Sequence, residues 1–183
     1  MLRISSLKKL VTDSMAIDLG TASTIIAVKG RGVVLDEPSL VAINEISEEI
    51  VAFGQEAGDM AGREGRDVVV RAPLIGGVVG DFERTKKMLA HFVKKARTGG
   101  SNLSLQAVMS MVSDVTQVEQ RALLNAAEES HIGKVFMMEE ALAAAFGAGV
   151  LSTDKRASAI IDIGAATTNI AVVAKGNVIT STS

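Results

Sequence analysis

Short apolar and β-branched runs, Ser14–Gly20 and Thr24–Gly30, predict two strands joined by a small polar turn. Residues 32–43 continue as strand with a break at Pro38, and residues 48–54 read as another short strand. The segment 55–63, punctuated by glycine, predicts a short helix, and 66–82 a strand followed by a Gly-rich connection. Phe82, Met88, Leu89, Phe92 and Val93 recur at helical spacing with lysines outside, which predicts a helix over 82–96. A loop and a strand, 103–112, follow. Ser113 or Asp114 is then placed to cap a helix over 116–131 that turns Val118, Leu123 and Leu124 inward. Residues 134–139 read as a strand, and 140–151 as a helix of small residues suited to close packing. Strands alternate with helices, so the fold class is α/β.

The last element of this pattern is a near copy of the first. Ala16–Val28 and Ile160–Val172 share eight of thirteen residues, including the Asp-x-Gly cores Asp18/Gly20 and Asp162/Gly164. A strand-turn-strand with glycine and small hydroxyl residues at its tip aims backbone N–H groups into a concavity that suits phosphate oxygens. Thr21, Ser23, Thr24, Thr167 and Thr168 add hydroxyl donors. Asp18 and Asp162 suit a hydrated magnesium ion, which keeps several waters and takes other ligands from phosphates. One such turn is ordinary structure. Two related turns imply a duplicated fold with two lobes, each offering a hairpin to a nucleoside triphosphate–magnesium between them.

Composition narrows the remaining choices. A net charge of -2 and five Phe without Trp or Tyr give no footing for nucleic acid. Cysteine is absent, which excludes disulfides and thiol chemistry, and the two histidines stand far apart, so no zinc site is expected. No apolar run reaches a membrane span of roughly 18 residues. Residues 1–11 differ in kind: Leu2, Ile4, Leu7, Leu10 and Val11 among Arg3, Lys8 and Lys9 form an amphipathic pattern that suits either a short interfacial membrane helix or a packed or frayed N-terminal arm. Pro73–Glu83 is Gly-rich but lacks the lysine and hydroxyl of a P-loop. The methionines of 108–112 and 135–139 read as core filler.

The paired hairpins, with 139–149 just before the second, resemble the actin superfamily. Residues 17–44, 54–63, 77–92 and 112–149 resemble its MreB branch, the bacterial cell-shape actins, with MamK as the nearest competing relative. The resemblance implies an actin-like, ribonuclease H-like domain I. Residues 12–34 and 75–150 would form subdomain IA, 35–74 subdomain IB, and 151–183 the opening hairpin of subdomain IIA. It further implies ATP and Mg2+ as ligands. Asp18, Gly20, Thr21, Ala22 and Ser23 would form the first phosphate loop, and Gly164, Ala165, Ala166 and Thr167 the second. Asp18 and Asp162 would hold Mg2+ through water, and Glu140 and Asp162 would be catalytic, Glu140 orienting the attacking water. Read alone, Glu139 and Glu140 are an acidic pair stabilised by a helix dipole.

This chain departs from the family pattern at several points. Ala165 and Ala166 replace glycines of the second loop, and a Cβ at Ala166 is expected to obstruct phosphate or a positive φ. Asn169 replaces an acidic residue, and Val112 and Ala141 replace prolines. The expected function is an ATP-dependent filament protein of cell shape and wall organisation, with an incomplete ATP site because only the start of the second lobe is present. Its expected place is the cytoplasm, at the inner membrane face, through residues 1–11. Expected partners are its own copies or a full-length actin-like filament, and cell-shape membrane proteins. The alternatives are a non-enzymatic filament-capping fragment, an organelle-aligning MamK-like filament protein, or a remnant whose strand edges pair with another chain.

Overall fold

The computed structural model describes residues 12–97, 104–150 and 156–183. The amphipathic segment 1–11 lies outside the described residues. In chain order come β1 (Thr12–Leu19), β2 (Ser23–Val28), β3 (Gly32–Pro38), β4 (Val41–Asn44) and β5 (Ile50–Phe53). Helix α1 (Gly54–Met60), β6 (Val68–Arg71), β7 (Leu74–Ile75), β8 (Val78–Val79) and helix α2 (Phe82–Ala96) follow. Then come β9 (Ser104–Met111), α3 (Gln117–Glu129), β10 (Lys134–Glu139) and α4 (Glu140–Gly147). The chain closes with β11 (Ser158–Ile163), β12 (Thr168–Ala174) and β13 (Asn177–Thr182).

The main sheet has the order β10-β9-β1-β2-β3. Strands β1, β9 and β10 run parallel, and β2 and β3 return antiparallel. Parallel neighbours need crossovers, and here α2 precedes β9 and α3 joins β9 to β10. Helix α2 buries Thr85, Met88, Leu89, Phe92, Val93 and Ala96, a stripe at three- and four-residue spacing. That stripe meets Met15, Ile17, Leu19 and Ile26 of the first hairpin. Each fully buried aliphatic or Phe side chain here stabilises by about 1.5–3 kcal/mol relative to exposure. Asp81 caps α2, its carboxylate accepting the Arg84 N–H at 3.0 Å. Phe82 is half-buried beneath Lys86, whose Nζ lies 5.5 Å from the ring centre.

Helix α3 corrects two expectations. Its cap is Thr116, not Ser113 or Asp114: the Thr116 hydroxyl accepts the Glu119 N–H, and Glu119 answers by accepting the Thr116 N–H at 2.8 Å. This reciprocal pairing satisfies two donors that the first turn leaves free, which neither earlier residue can do from outside the helix. Val118 is 79% exposed, while Leu123 is buried and Leu124 half-buried. The five residues from Val118 to Leu123 turn about 140° around a helix, so both cannot share one inward face.

The Gly-rich connection after β6 is a hairpin, β7–β8, turning at Gly76 and Gly77 with φ of 59° and 78°. Two consecutive positive φ values suit a two-residue turn and strongly favour glycine. A smaller sheet, β5-β4-β6, packs α1 against Ala42 and Ala52 through Ala57. Glu37 of β3 ties α1 to α2, accepting from the Gln55 N–H and from Lys95. The repeated hairpin at the end of the chain gains a third strand, giving the antiparallel order β11-β12-β13.

Candidate functional site

The two Asp-x-Gly hairpins fold alike. Asp18 pairs with Ile25 across β1 and β2, and Asp162 pairs with Asn169 across β11 and β12. The Gly20 N–H donates to the Ser23 carbonyl at 3.0 Å, and the Gly164 N–H to the Thr167 carbonyl at 2.9 Å. The glycines permit this closeness: a Cβ at Gly20 would stand 2.9 Å from the Ser23 oxygen, and one at Gly164 3.2 Å from the Thr167 oxygen.

Both turns border one cleft of about 840 Å³. Asp18, Gly20, Thr21, Ala22 and Ser23 line it from the first hairpin. Asp162, Gly164, Ala165, Ala166 and Thr167 line it from the second, with Glu140 of α4 also in the wall. The residues expected of the two phosphate loops, both aspartates and Glu140 therefore meet in one place. Two hydroxyls do not join them. Thr24 is fully buried and hydrogen-bonds Ser39 Oγ at 2.8 Å, and Thr168 is exposed outside the cleft wall. In an antiparallel hairpin side chains alternate between faces, and the phase set by Asp18 and Ile25 turns Thr24 into the core. Neither Ala165 nor Ala166 takes a positive φ, so the Cβ of Ala166 obstructs none.

Residues outside the expected set brace these loops. Ser39 donates to the Gly20 carbonyl at 2.7 Å, and its N–H donates to the Ala22 carbonyl at 2.9 Å. The Gly77 N–H donates to Thr21 Oγ1 at 2.8 Å, so the β7–β8 turn touches the first loop and shares the cleft wall. Ser110 Oγ donates to Asp18 Oδ1 at 2.6 Å. The signal for Ser110 was one hydroxyl in the methionine-rich strand 108–112, at the position one beyond the pairing of Met109 with Ile17.

Glu140 opens α4, where small residues let the helix lie close to β11 and β12; Ala141 and Ala145 are buried. Its carboxyl is pushed up to about 7, first by burial and then by the negative charges of Asp18 and Asp162. Asn169 Nδ2 donates to Glu140 Oε2 at 2.9 Å, and Asn169 Oδ1 accepts from Ser183 Oγ at 2.6 Å. A carboxyl titrating near neutrality and facing a cleft suits general-base work on water.

Among the described residues no group of three or more His, Cys, Asp or Glu is arranged to hold a metal ion by itself. Asp18 and Asp162, one on each side of the cleft, instead fit an ion that arrives with phosphates and keeps its water. The small residues at both tips leave room for phosphate oxygens to approach the backbone.

Matched turns from two sheets, facing one cleft behind a helix of small residues, define an actin-like α/β protein. Residues 12–183 match the family described as MreB/Mbl protein, and the chain belongs to that family. The cell shape-determining protein Mbl of Bacillus subtilis is 41% identical over 169 residues, 92% of this chain and 51% of Mbl. The crystal structure of MreB5 of Spiroplasma citri bound to ADP superposes with a TM-score of 0.85 at 34% identity, covering 93% of this chain and 51% of that one. A MamK double helical filament shares the fold, with a TM-score of 0.75 at 24% identity over 92% of this chain and 51% of that one. The chain spans about half the length of the curated relatives it matches.

Proposed function

We propose that this chain carries the phosphate-binding side of an ATP site and contributes to an actin-like filament that determines cell shape. The observation that carries the reading is the pair of matched Asp-x-Gly turns on one cleft with Glu140 in its wall. Mbl is named a cell shape-determining protein, and MreB5 was crystallised with ADP, which supports the same reading.

In this reading Gly20, Thr21, Ala22 and Ser23 meet phosphate oxygens from one side, and Gly164, Ala165, Ala166 and Thr167 from the other. Asp18 and Asp162 hold the hydration shell of Mg2+. When bound, Mg2+ neutralises charge on the phosphate oxygens. Glu140, when ionised, accepts a proton from a water and aligns it toward the terminal phosphate. Residues 12–34 and 75–150 act as subdomain IA, 35–74 as IB and 151–183 as the start of IIA. Head-to-tail contacts that do not close give filaments. Residues 1–11 hold the protein at the cytoplasmic membrane face beside cell-shape membrane proteins.

The test is a calorimetric titration of the chain with Mg-ATP, beside Asp18→Ala. Micromolar binding that weakens at least about tenfold in the variant supports the site. Silence up to millimolar ATP removes the nucleotide from the reading.

A further inference from the structure

Asn169 stands where the first hairpin has an apolar residue. It faces Asp162 in the register that Ile25 keeps opposite Asp18. It is 5% exposed. A polar side chain so buried destabilises the fold unless both its ends are hydrogen-bonded. Both are: the amide N–H donates a hydrogen bond to Glu140 Oε2 at 2.9 Å, and the amide oxygen accepts one from the Ser183 hydroxyl at 2.6 Å. The first bond fixes the sense of the second: an ionised carboxylate only accepts, so the amide turns its N–H toward Glu140, and the Ser183 hydroxyl, able to donate or accept, donates to the remaining oxygen.

We propose that Asn169 is the positioning residue of Glu140, engaging Oε2 so that Oε1 is the oxygen left to meet water in the cleft. Its consequence for catalysis rests on the ATP-site reading above. The charged groups acting on Glu140 are Asp18 from β1 and Asp162 from β11, both acidic. Asn169 from β12 is a neutral donor against them, and a donor to the ionised form favours that form. The first hairpin repeats the device on Asp18, whose Oδ1 accepts a hydrogen bond from the Ser110 hydroxyl. In each case one carboxylate oxygen is held by an uncharged side chain that cannot compete for a proton at neutral pH.

The experiment follows the Glu140 side-chain carboxyl carbon by NMR across pH 4–9 in the full chain labelled with 13C-glutamate, with Glu140→Gln identifying the resonance. Asn169→Ala is expected to raise the Glu140 midpoint by about one unit, as loss of a hydrogen bond to a charged group requires. Asn169→Asp is expected to raise it further by placing a third negative charge beside it. Ser183→Ala, on an exposed residue, shifts it the same way by less and serves if the Asn169 variants fail to fold. A midpoint that stays put in a folded Asn169→Ala or in Ser183→Ala, with only melting temperature changed, overturns the proposal and leaves Asn169 a packing residue. Mg-ATP affinity is read in parallel on the wild-type chain. Failure of the wild-type chain to bind Mg-ATP overturns the ATP reading without touching the positioning result.

Discussion

The two hairpins share a sequence and a turn but live in different surroundings. Ile17, Leu19 and Ile26 of the first are 2%, 5% and 0% exposed, packed in the main core with α2. Their counterparts Ile161, Ile163 and Ile170 are 63%, 77% and 46% exposed. The first turn is braced by Ser39 and Gly77, and its aspartate by Ser110. In the second, Gly164, Ala165 and Ala166 stand exposed around the internal Gly164–Thr167 bond. A local motif thus specifies a conformation, while preorganisation and stability come from what lies against it. The first loop is built into the core. The second is held chiefly by its own strand pairing and by the contact of β11 and β12 with α4.

The largest expected difference lies in the cores. Ile26→Ala should lower unfolding free energy by about 2–5 kcal/mol, through lost burial and the cavity left behind. Ile170→Ala should change it by less than about 0.5 kcal/mol, as exposed substitutions usually do. Urea denaturation of the two variants compares them directly, and equal losses would erase the distinction between the hairpins.

A smaller difference is expected at the tips. Gly20→Ala drives a Cβ against a carbonyl in a braced loop, so it should destabilise by about 1–3 kcal/mol. Gly164→Ala has 3.2 Å to work with in an exposed turn and should be tolerated within about 1 kcal/mol. Thermal melts of both variants decide the matter, and a larger loss at Gly164 would place the rigid loop in the second hairpin.

The smallest effect concerns Glu140, which is half-buried and therefore partly screened by solvent. Its carboxyl is raised from 4.5 to about 7 in the folded chain, so the native state binds the proton more tightly than the unfolded one. The associated stabilisation is full below about pH 4.5 and is lost as pH rises to about 7. Melting temperatures taken from pH 4 to 8 should show this fall in the wild type and a flatter profile in Glu140→Gln. Parallel profiles would mean that burial and the two aspartates do not act on Glu140 as the geometry requires.

Much of this was legible in the residues. Glu140 was legible only through the family resemblance, whereas the repeated Asp-x-Gly turns announced both hairpins, with Asp18 and Asp162 at their tips, because turn chemistry is local. The α2 stripe was legible for the same reason, its spacing needing no partner to be seen. Thr116 was passed over because two earlier residues also looked like caps, and only the reciprocal bond with Glu119 separates them. Val118 was placed inward by its hydrophobicity, whereas the helix phase set from Thr116 turns it to solvent. Asn169 read as a loss of charge. Its role as a donor to Glu140, 29 residues earlier, appears only when β12 lies beside α4.

By itself, then, the sequence determined the α/β order of elements, the two matching turns and the aspartates Asp18 and Asp162 that they carry, since periodicity and turn chemistry act over a few neighbouring residues. The tertiary structure decided which oxygen of each carboxylate was held, and that Glu140 titrates near neutrality. Those outcomes depend on burial and on charge at short range through space, and both are set by residues brought together from distant parts of the chain.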